Sequence, residues 1–474
     1  MASDSYDLVV CGLGSAGIVA AQLAHRLGLR VAGVEAGRIG GDCLWSGCVP
    51  SKALVASARV AHVMREAGRW GIEPAPPRVD LARVWRRIHE VQEELAASDD
   101  SPQRLRSLGI EVVEGRASLG AVGEVRAGDR VLRTRFALVC TGSSPSTPDL
   151  PGIEDVDFLT TRSLWAREAP PASLTILGGG PASVELAQSL RRLGVETTLL
   201  VEEGRLLMDE EPVHADELAG ILRAEGVRLA CEVHPLAARR EGSTTVLETA
   251  AADGTEASWR ADALLAASGR APNVAGLGLE AHGIRWGPNG IVADGSGRTA
   301  APWVYAVGDV TGRHLSAHAA AAEAARAVRT MLFPGVARGP AVVPRCTFTD
   351  PELAAVGLSE DEAREAHGSG VVRVWERSLE KVDRARIDGR TAGSVRIVTA
   401  RGRVAGASVL APCAGELIGE LTHAVEQRWK LVRLAAAVHV YPSLATTIQE
   451  LAADAAIAAS RPVAEVARFT RKKS

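Results

Sequence analysis

Short apolar runs that stop at glycine turns alternate along this chain with stretches of helical spacing. Tyr6 to Val10 is the first run, and Cys11-Gly12-Leu13-Gly14-Ser15-Ala16-Gly17 follows it. Ala20, Leu23, Ala24 and Leu27 then predict a helix, and Arg30 to Val34 a second strand ending at Glu35. The order repeats about 165 residues later. Leu174 to Leu177 runs into Gly178-Gly179-Gly180-Pro181-Ala182-Ser183, a helical pattern reaches Leu193, and Glu196 to Val201 ends at Glu202. Strand, glycine turn, helix and strand, twice over, predict parallel α/β units.

The intervening pattern is more varied. Residues 53 to 70 and 80 to 109 predict two helices separated by a loop at Pro74 to Pro77. Leu81, Val84, Trp85, Ile88, Val91 and Leu95 of the second are expected core positions. Residues 110 to 140 alternate as strands with turns at Gly120, Gly123 and Gly128-Asp129, a small antiparallel insertion. Ala137 to Cys140 leads into Thr141-Gly142-Ser143, and Pro145, Pro148 and Pro151 mark a boundary. Leu264 to Asn273 closes the second unit. Trp303 to Val310 predicts a strand entering Gly308-Asp309, before an alanine-rich helix over 316–332. Asp309 in that setting suits a plain helix N-cap as well as a ligand. A Gly/Pro-rich linker spans Pro334 to Pro344. Beyond it, strands are expected at 345–349, 371–378, 394–399 and 404–410, helices at 359–367, 414–428 and 446–460, and a solvated end at Arg471 to Ser474.

A length of 474 residues allows two or three domains, and 46% hydrophobic with 23% charged residues is the balance of a soluble globular protein. A formal net charge of −3 gives no electrostatic case for nucleic acid or an anionic membrane as partner. No apolar run approaches the ~18 residues of a membrane span. Seven cysteines and no signal-peptide pattern at Met1-Ala-Ser-Asp-Ser5 point to a reducing, cytoplasmic setting. A disulfide there is catalytic more often than structural.

Each glycine turn has the form of a dinucleotide fingerprint. Gly12 permits the tight turn, Gly14 lets backbone approach a pyrophosphate, and Gly17 lets helix and strand pack closely. The phosphates would sit at the helix N-terminus, with Glu35 on a ribose hydroxyl. In the second copy Ser183 stands where the third glycine would be. Glu202 ends the second strand, where a carboxylate accepts the 2′-hydroxyl of NAD and repels the 2′-phosphate of NADP. Arg205, three residues on, is the feature that speaks for NADP.

Between the first unit and the helices lies Gly40-Gly41-Asp42-Cys43-Leu44-Trp45-Ser46-Gly47-Cys48-Val49-Pro50-Ser51-Lys52. A Cys-x4-Cys pair suits a disulfide across a helical turn, and a helix start together with Lys52 would lower a thiolate's pKa. Half of a zinc site and two unrelated core cysteines are the alternatives. No second cysteine pair with ligand spacing and no His-x3-5-His is present, so no metal site is expected.

Together these landmarks resemble, over nearly the whole chain, the FAD-dependent pyridine nucleotide–disulfide oxidoreductases, the group of dihydrolipoamide dehydrogenase, glutathione reductase and mercuric reductase. The resemblance implies two Rossmann-type α/β domains and a C-terminal α+β dimerisation domain. FAD would take residues 1–150 and 272–335, NAD(P) residues 151–271, and dimerisation residues 341–474, opened by Val343 to Glu352. By resemblance, FAD is bound by Gly12, Gly14, Ser15, Ala16, Gly17, Glu35, Ala36, Gly41, Asp42, Cys43, Lys52, Ala117, Thr141, Gly142, Ser143, Gly308, Asp309, Ala317 and His318. NAD(H), preferred over NADP(H), would use Gly178, Gly180, Pro181, Ser183, Glu185, Glu202, Gly269 and Arg270. Lys52 and Glu185 resemble the pair beside the flavin ring. Electrons would pass from NADH through flavin to a Cys43–Cys48 disulfide. Cys48 would then rest as a thiolate, while Cys43 exchanges with a small-molecule acceptor.

The chain departs from that pattern at named positions. Where the family presents His-Pro-Thr and a glutamate five residues after the His, this chain has His439-Val440-Tyr441-Pro442-Ser443-Leu444-Ala445-Thr446. Tyr441 takes the catalytic His position and Thr446 that of the glutamate. A tyrosine is a poor general base at neutral pH, and His439 is the candidate substitute, with an interface histidine as the alternative. Asp42 replaces the usual threonine before Cys43, and Trp45 sits inside the loop. Tyr before Pro is shared with mercuric reductase, but no cysteine follows Cys413. The expected protein is a homodimeric NAD(P)H-dependent disulfide reductase. Quinone or dye reduction, metal reduction and a redox-sensing flavoprotein are the alternatives.

Overall fold

In the computed structural model, residues 5–98, 101–333, 335 and 342–471 are described. The linker expected over 334–344 and the tail beyond Arg471 lie largely or wholly outside them, as do Met1 to Asp4.

Apolar runs pair in parallel because both of their faces are covered. Ser5–Cys11 lies between Val31–Glu35 and Arg130–Val139, with Leu8 opposite Val31 and Cys11 opposite both Val34 and Val139. Glu111–Glu114 extends the sheet on one side, and Val304–Ala306 joins the end of Arg130–Val139 on the other. Helix α1 (Ser15–Arg26) covers one face, its alanines buried at positions 16, 20, 21 and 24. Then come α2 (Gly41–Trp45), α3 (Cys48–Glu66), α4 (Leu81–Ala97) and α5 (Pro102–Ser107). The second parallel sheet runs Arg228–Ala230, Glu196–Leu200, Ser173–Leu177, Ala263–Ala266 and Phe158–Thr160, with α6 (Pro181–Arg192) and α7 (Pro212–Ala224) following its turns. A two-stranded ribbon, Ser143–Pro145 against Arg270–Pro272, connects the two units. Helix α8 (Ala317–Leu332) then packs on the first sheet through Ala320, Ala324 and Val328.

The remainder is an antiparallel sheet in the order Arg345–Thr347, Glu352–Gly357, Arg403–Ala411, Ser394–Ala400, Val372–Ser378. Around it lie α9 (Glu360–His367), α10 (Asp383–Ile387), α11 (Ala414–Glu426) and α12 (Thr446–Arg471). The architecture is thus mixed α/β, two Rossmann-like units and a C-terminal antiparallel domain. Among the described residues, no helix is long and apolar enough to cross a membrane.

Several expectations need correction. The helix predicted over 80–109 is two, because Ser101 caps a new start by accepting the Arg104 N–H, with Pro102 in its first turn. The first helix begins at Cys48, not at 53, and ends at Glu66 before a 3₁₀ turn over Ala67–Trp70. Trp85 and Ile88 are buried, but Leu95 is exposed, and the buried position between them is the polar Gln92. Within 110–140 only the middle is an antiparallel insertion, since Glu111–Glu114 and the end of Arg130–Val139 belong to the parallel sheet. A meander of Val233–Glu241, Thr244–Ala251 and Glu256–Ala261 and the strand Glu352–Gly357 had no predicted counterpart. The latter is buried on both faces, so it carries no period-two alternation to detect.

Candidate active site

The loop after Val31–Glu35 makes a sharp entry through Gly40 (φ 96°) and Gly41 (φ 58°), both left-handed. A Cβ on Gly41 would come within 2.9 Å of Gly14 Cα, so the loop lies directly on the first glycine turn. Cys43 sits in the middle of α2, the chain breaks at Ser46-Gly47, and Cys48 opens α3. The expected single helical turn is therefore two helices. The break is closed by Asp42, whose carbonyl accepts the N–H of Ser46 (2.9 Å) and of Gly47 (2.6 Å). Both cysteines are free thiols and half-buried.

Other elements hold the loop's carbonyls. Gln92 on α4 donates to the carbonyls of Leu44 and Trp45, each at 2.9 Å, and the Trp165 indole donates to Ser46 at 3.0 Å. The Trp45 indole turns back to the Ile39 carbonyl (2.7 Å) under the Arg38 guanidinium, away from the thiols' partners. Gln92 and Trp165 went unrecognised in the sequence, and the one available signal was a glutamine on the apolar face of α4.

The two thiols are unequal. Cys48 is pulled down to about 7, first by the hydrogen bond from Cys43 and then by the Lys52 ammonium, against burial and Glu185. Cys43 is pushed up by the same bond, by burial and by the charge on Cys48, while a hydrogen bond with Ser15 opposes this. Cys48 is thus the thiolate and Cys43 the proton donor. Lys52 Nζ contacts both oxygens of the Glu185 carboxylate (3.2 and 2.8 Å) and lies 4.5 Å from the centre of the Phe348 ring. Glu185 is 3% exposed and also accepts the Phe348 backbone N–H at 2.8 Å. The Lys52–Glu185 pair is therefore formed, and the C-terminal domain supports it.

A Cβ on Gly12 would strike the Cys140 carbonyl at 2.6 Å, and one on Gly17 the Gly12 carbonyl at 1.9 Å, so both must be glycine. Gly14 begins α1 with no side-chain cap, which leaves the N–H groups of the first turn open to an anion beside Ser15 and Ala16. Glu35, followed by Ala36, is held at the strand end by the N–H groups of Leu13 (2.7 Å) and Gly37 (2.8 Å). Ser143 donates to Asp309 (2.8 Å), which follows Gly308, while Gly142 and Thr141 clasp Asn273. These residues fit FAD. Ala117 is buried in the core under this sheet, and His318, one residue after Ala317, contacts the Pro344 carbonyl at 2.7 Å.

In the second turn, Gly180 before Pro181 begins α6 with open space around it. Ser183 is fully buried and donates to the Ala267 carbonyl (3.3 Å), which is how a serine fits the third-glycine position beneath Gly178. Glu202 is solvent-exposed, with His234 3.7 Å away. Arg205 spends its guanidinium on the carbonyls of Leu206, Leu207 and Met208 at 3.2, 2.8 and 2.7 Å. Arg270, expected with Gly269 at NAD(H), contacts residues expected at FAD. Its guanidinium sits among Asp42 (2.6 Å), Ser143 (2.8 Å) and Asp309 (3.8 Å), on the side of the first nucleotide.

In the C-terminal segment, the exposed Tyr441 donates to Asp383 at 2.9 Å, and that carboxylate holds its hydroxyl protonated above the ordinary range. Thr446 donates to the Ser443 carbonyl. His439 faces the Ala437 carbonyl at 3.2 Å and Glu420 at 2.9 Å, one acceptor for each ring nitrogen. Each ring nitrogen thus faces an acceptor within the chain, and His439 pins the segment. Burial would lower its pKa, but Glu420 outweighs burial and raises it above the ordinary value. The pin's stability is therefore fully present below about pH 6.5 and is lost as pH rises through the raised pKa. The melting-temperature gap between the parent and Glu420→Gln should accordingly be largest near pH 6 and close by about pH 9. A gap that widens with pH would refute the pin.

Two nucleotide folds, with a paired-thiol loop lying on the first and a Lys–Glu pair beside it, define a flavin- and pyridine-nucleotide-dependent dithiol oxidoreductase. The chain belongs to the pyridine nucleotide-disulphide oxidoreductase family: that family matches residues 6–324, and its dimerisation domain residues 343–452. It is 34% identical to a mercuric reductase of Streptomyces lividans, over 94% of this chain and 96% of that protein. It is 32% identical to a dihydrolipoyl dehydrogenase of Bacillus subtilis, over 95% and 98%. The structure is similar to the HOCl-induced flavoprotein disulfide reductase RclA of Escherichia coli (TM-score 0.83, 27% identity, 94% and 99% covered). It is also similar to LpdA of Mycobacterium tuberculosis (TM-score 0.85, 29% identity, 94% and 99% covered). The chain is thus a flavoprotein enzyme of the lipoamide dehydrogenase and mercuric reductase class.

Proposed function

We propose that the enzyme uses NADH to reduce a small disulfide through Cys43 and Cys48. The observation that carries this reading is the Cys43–Cys48 dyad, with Lys52 and the buried Glu185 beside it. Bound FAD supplies the conversion of a hydride into an electron pair that opens the Cys43–Cys48 disulfide. In the exchange half, the Cys43 sulfur bonds to one sulfur of the acceptor, and the first product thiol leaves with a proton. Cys48 then attacks Cys43, the Cys43–Cys48 bond re-forms, and the second thiol leaves. The sum is NADH, a proton and RSSR giving NAD⁺ and two RSH. The group already bonded to the Cys43 proton is the Cys48 thiolate, so the pair is its own base where the family would use an imidazole.

One observation favours a second reading. Tyr441 and His439 are both paired within the chain, to Asp383 and Glu420, and a thiophilic metal ion held by the two sulfurs, or a quinone reduced directly by flavin, would not need the same proton donor. Anaerobic titration with NADH separates a path through the dithiol from direct flavin-to-quinone transfer, and the acceptor, disulfide or metal ion, is then set by turnover with each. Uptake of two electron pairs with two new titratable thiols supports the dithiol path; uptake of one pair without thiols overturns it.

NADH preference rests on Glu202 being solvent-exposed, with only His234 3.7 Å away, while Arg205 is spent on carbonyls. Glu202→Ala should lower the NADH/NADPH ratio of kcat/KM by about tenfold, since one carboxylate facing a 2′-phosphate is worth about 1 kcal/mol or more. An unchanged ratio would remove Glu202 from the choice. A homodimer is supported by the matched dimerisation domain and by Val438, Val440 and Tyr441, which are 95%, 81% and 70% exposed on it.

A further inference from the structure

The loop carries a carboxylate, Asp42, directly before Cys43, at the rim of the first nucleotide site. Gly14 and Gly40 form a parallel bridge, and Gly41 packs on Gly14. The open N–H groups at the start of α1, where a diphosphate belongs, are therefore next to Asp42. A carboxylate left alone there would repel both phosphates.

It is not alone. Arg270 Nη2 donates to Asp42 Oδ2 at 2.6 Å, Arg162 Nη2 lies 3.5 Å from Oδ1, and the Ser46 hydroxyl donates to Oδ1. Arg270 Nε in turn donates to Ser143 Oγ at 2.8 Å and faces Asp309 at 3.8 Å, while its Nη2 also reaches the Ser143 carbonyl at 3.1 Å. Its Nη1 has no protein partner among the described residues, and the side chain is 24% exposed. The charges of Asp42, Asp309, Arg162 and Arg270 cancel. The network joins the redox loop, both strands of the connecting ribbon and the Gly308-Asp309 turn.

We propose that Asp42 and Arg270 form one coupled unit that retains FAD in this chain. Asp42 fixes the guanidinium at the rim of the diphosphate place, and the guanidinium cancels the carboxylate that would otherwise expel the diphosphate. Arg270 is thus a positioning residue for the flavin cofactor, and the arginine explains how an aspartate is tolerated where the family has threonine. The same pair ties α2, and with it Cys43, to the connecting ribbon. The inference rests on FAD occupying the first fingerprint and not on the identity of the acceptor.

The test is the rate of FAD release from the holoenzyme on dilution, read as recovery of free-flavin fluorescence, at low and high salt. Arg270→Met should speed release about 100-fold, but no more than about tenfold when Asp42→Thr is already present. Asp42→Thr alone should leave release unchanged or slower. Arg270→Lys, which keeps the charge and is milder to the fold, should fall between parent and Arg270→Met only while Asp42 is present. Equal effects of Arg270→Met in both backgrounds, or release by Asp42→Thr as fast as by Arg270→Met, would overturn the coupling. A preparation that never holds flavin would refute the FAD assignment itself, a separate outcome.

Discussion

Cys48→Ser and Cys43→Ser are each expected to lower turnover with disulfide acceptors by at least about 10³-fold. Serine cannot ionise near neutrality, so the first variant has no thiolate to re-form the bond, and the second has no sulfur to open the acceptor. In the parent enzyme reduced by NADH, alkylation should follow a titration near the lowered value of Cys48, about 7. In Cys43→Ala, which leaves no donor at that position, the titration should move up, because the hydrogen bond that chiefly stabilises the thiolate is gone. Flavin reduction by NADH should persist in both serine variants. Variants that keep disulfide turnover would sink the dithiol path, whereas loss of that turnover with quinone reduction intact would separate the two routes.

The second large effect concerns the seam behind Glu185. Arg192 is 5% exposed and bonds Asp350 through Nη1 at 2.8 Å and Glu225 through Nε and Nη2, both at 2.7 Å. Gln188 exchanges hydrogen bonds with the Asp350 backbone at 2.9 and 2.8 Å. Glu185, Gln188 and Arg192 thus form one buried polar stripe along α6, and all three grip residues 348–350 of the C-terminal domain. Arg192→Met removes the cation but leaves the buried Asp350 and the partly buried Glu225 carboxylates, a change that costs about 3–5 kcal/mol. Arg390, also paired with Asp350, and the partly exposed Arg59 hold the loss towards the lower figure. Chemical denaturation should show that loss. The Phe348 N–H should also loosen from Glu185, seen as a shifted Cys48 titration. A loss under about 1 kcal/mol would mean that the stripe is not a clamp.

Much of the site could be read from the chain because its parts are local. The glycine turns, Glu35, Glu202 and the cysteine loop lie within short segments whose backbone demands leave few residue choices. Gly12 and Gly17 are fixed by carbonyls 2.6 and 1.9 Å from any added Cβ, and the sequence records that constraint directly. Lys52 and Glu185 became legible as a pair through the family resemblance, although 133 positions separate them. Spacing misled where a break intervened. Cys-x4-Cys reads as one helical turn, but Gly47 opens the chain between two helices.

By itself, then, the sequence determined the two nucleotide units, the redox-loop residues and the loss of the His–Glu dyad, since each is written in contiguous residues. The tertiary structure decided which side chains meet. It brought Arg270 to Asp42, tied up Arg205 and His439, and recruited Gln92 and Trp165 to hold the loop. The physical reason is that a long polar side chain is claimed by whichever acceptor the fold brings within about 3 Å, and that distance is not a function of spacing along the chain.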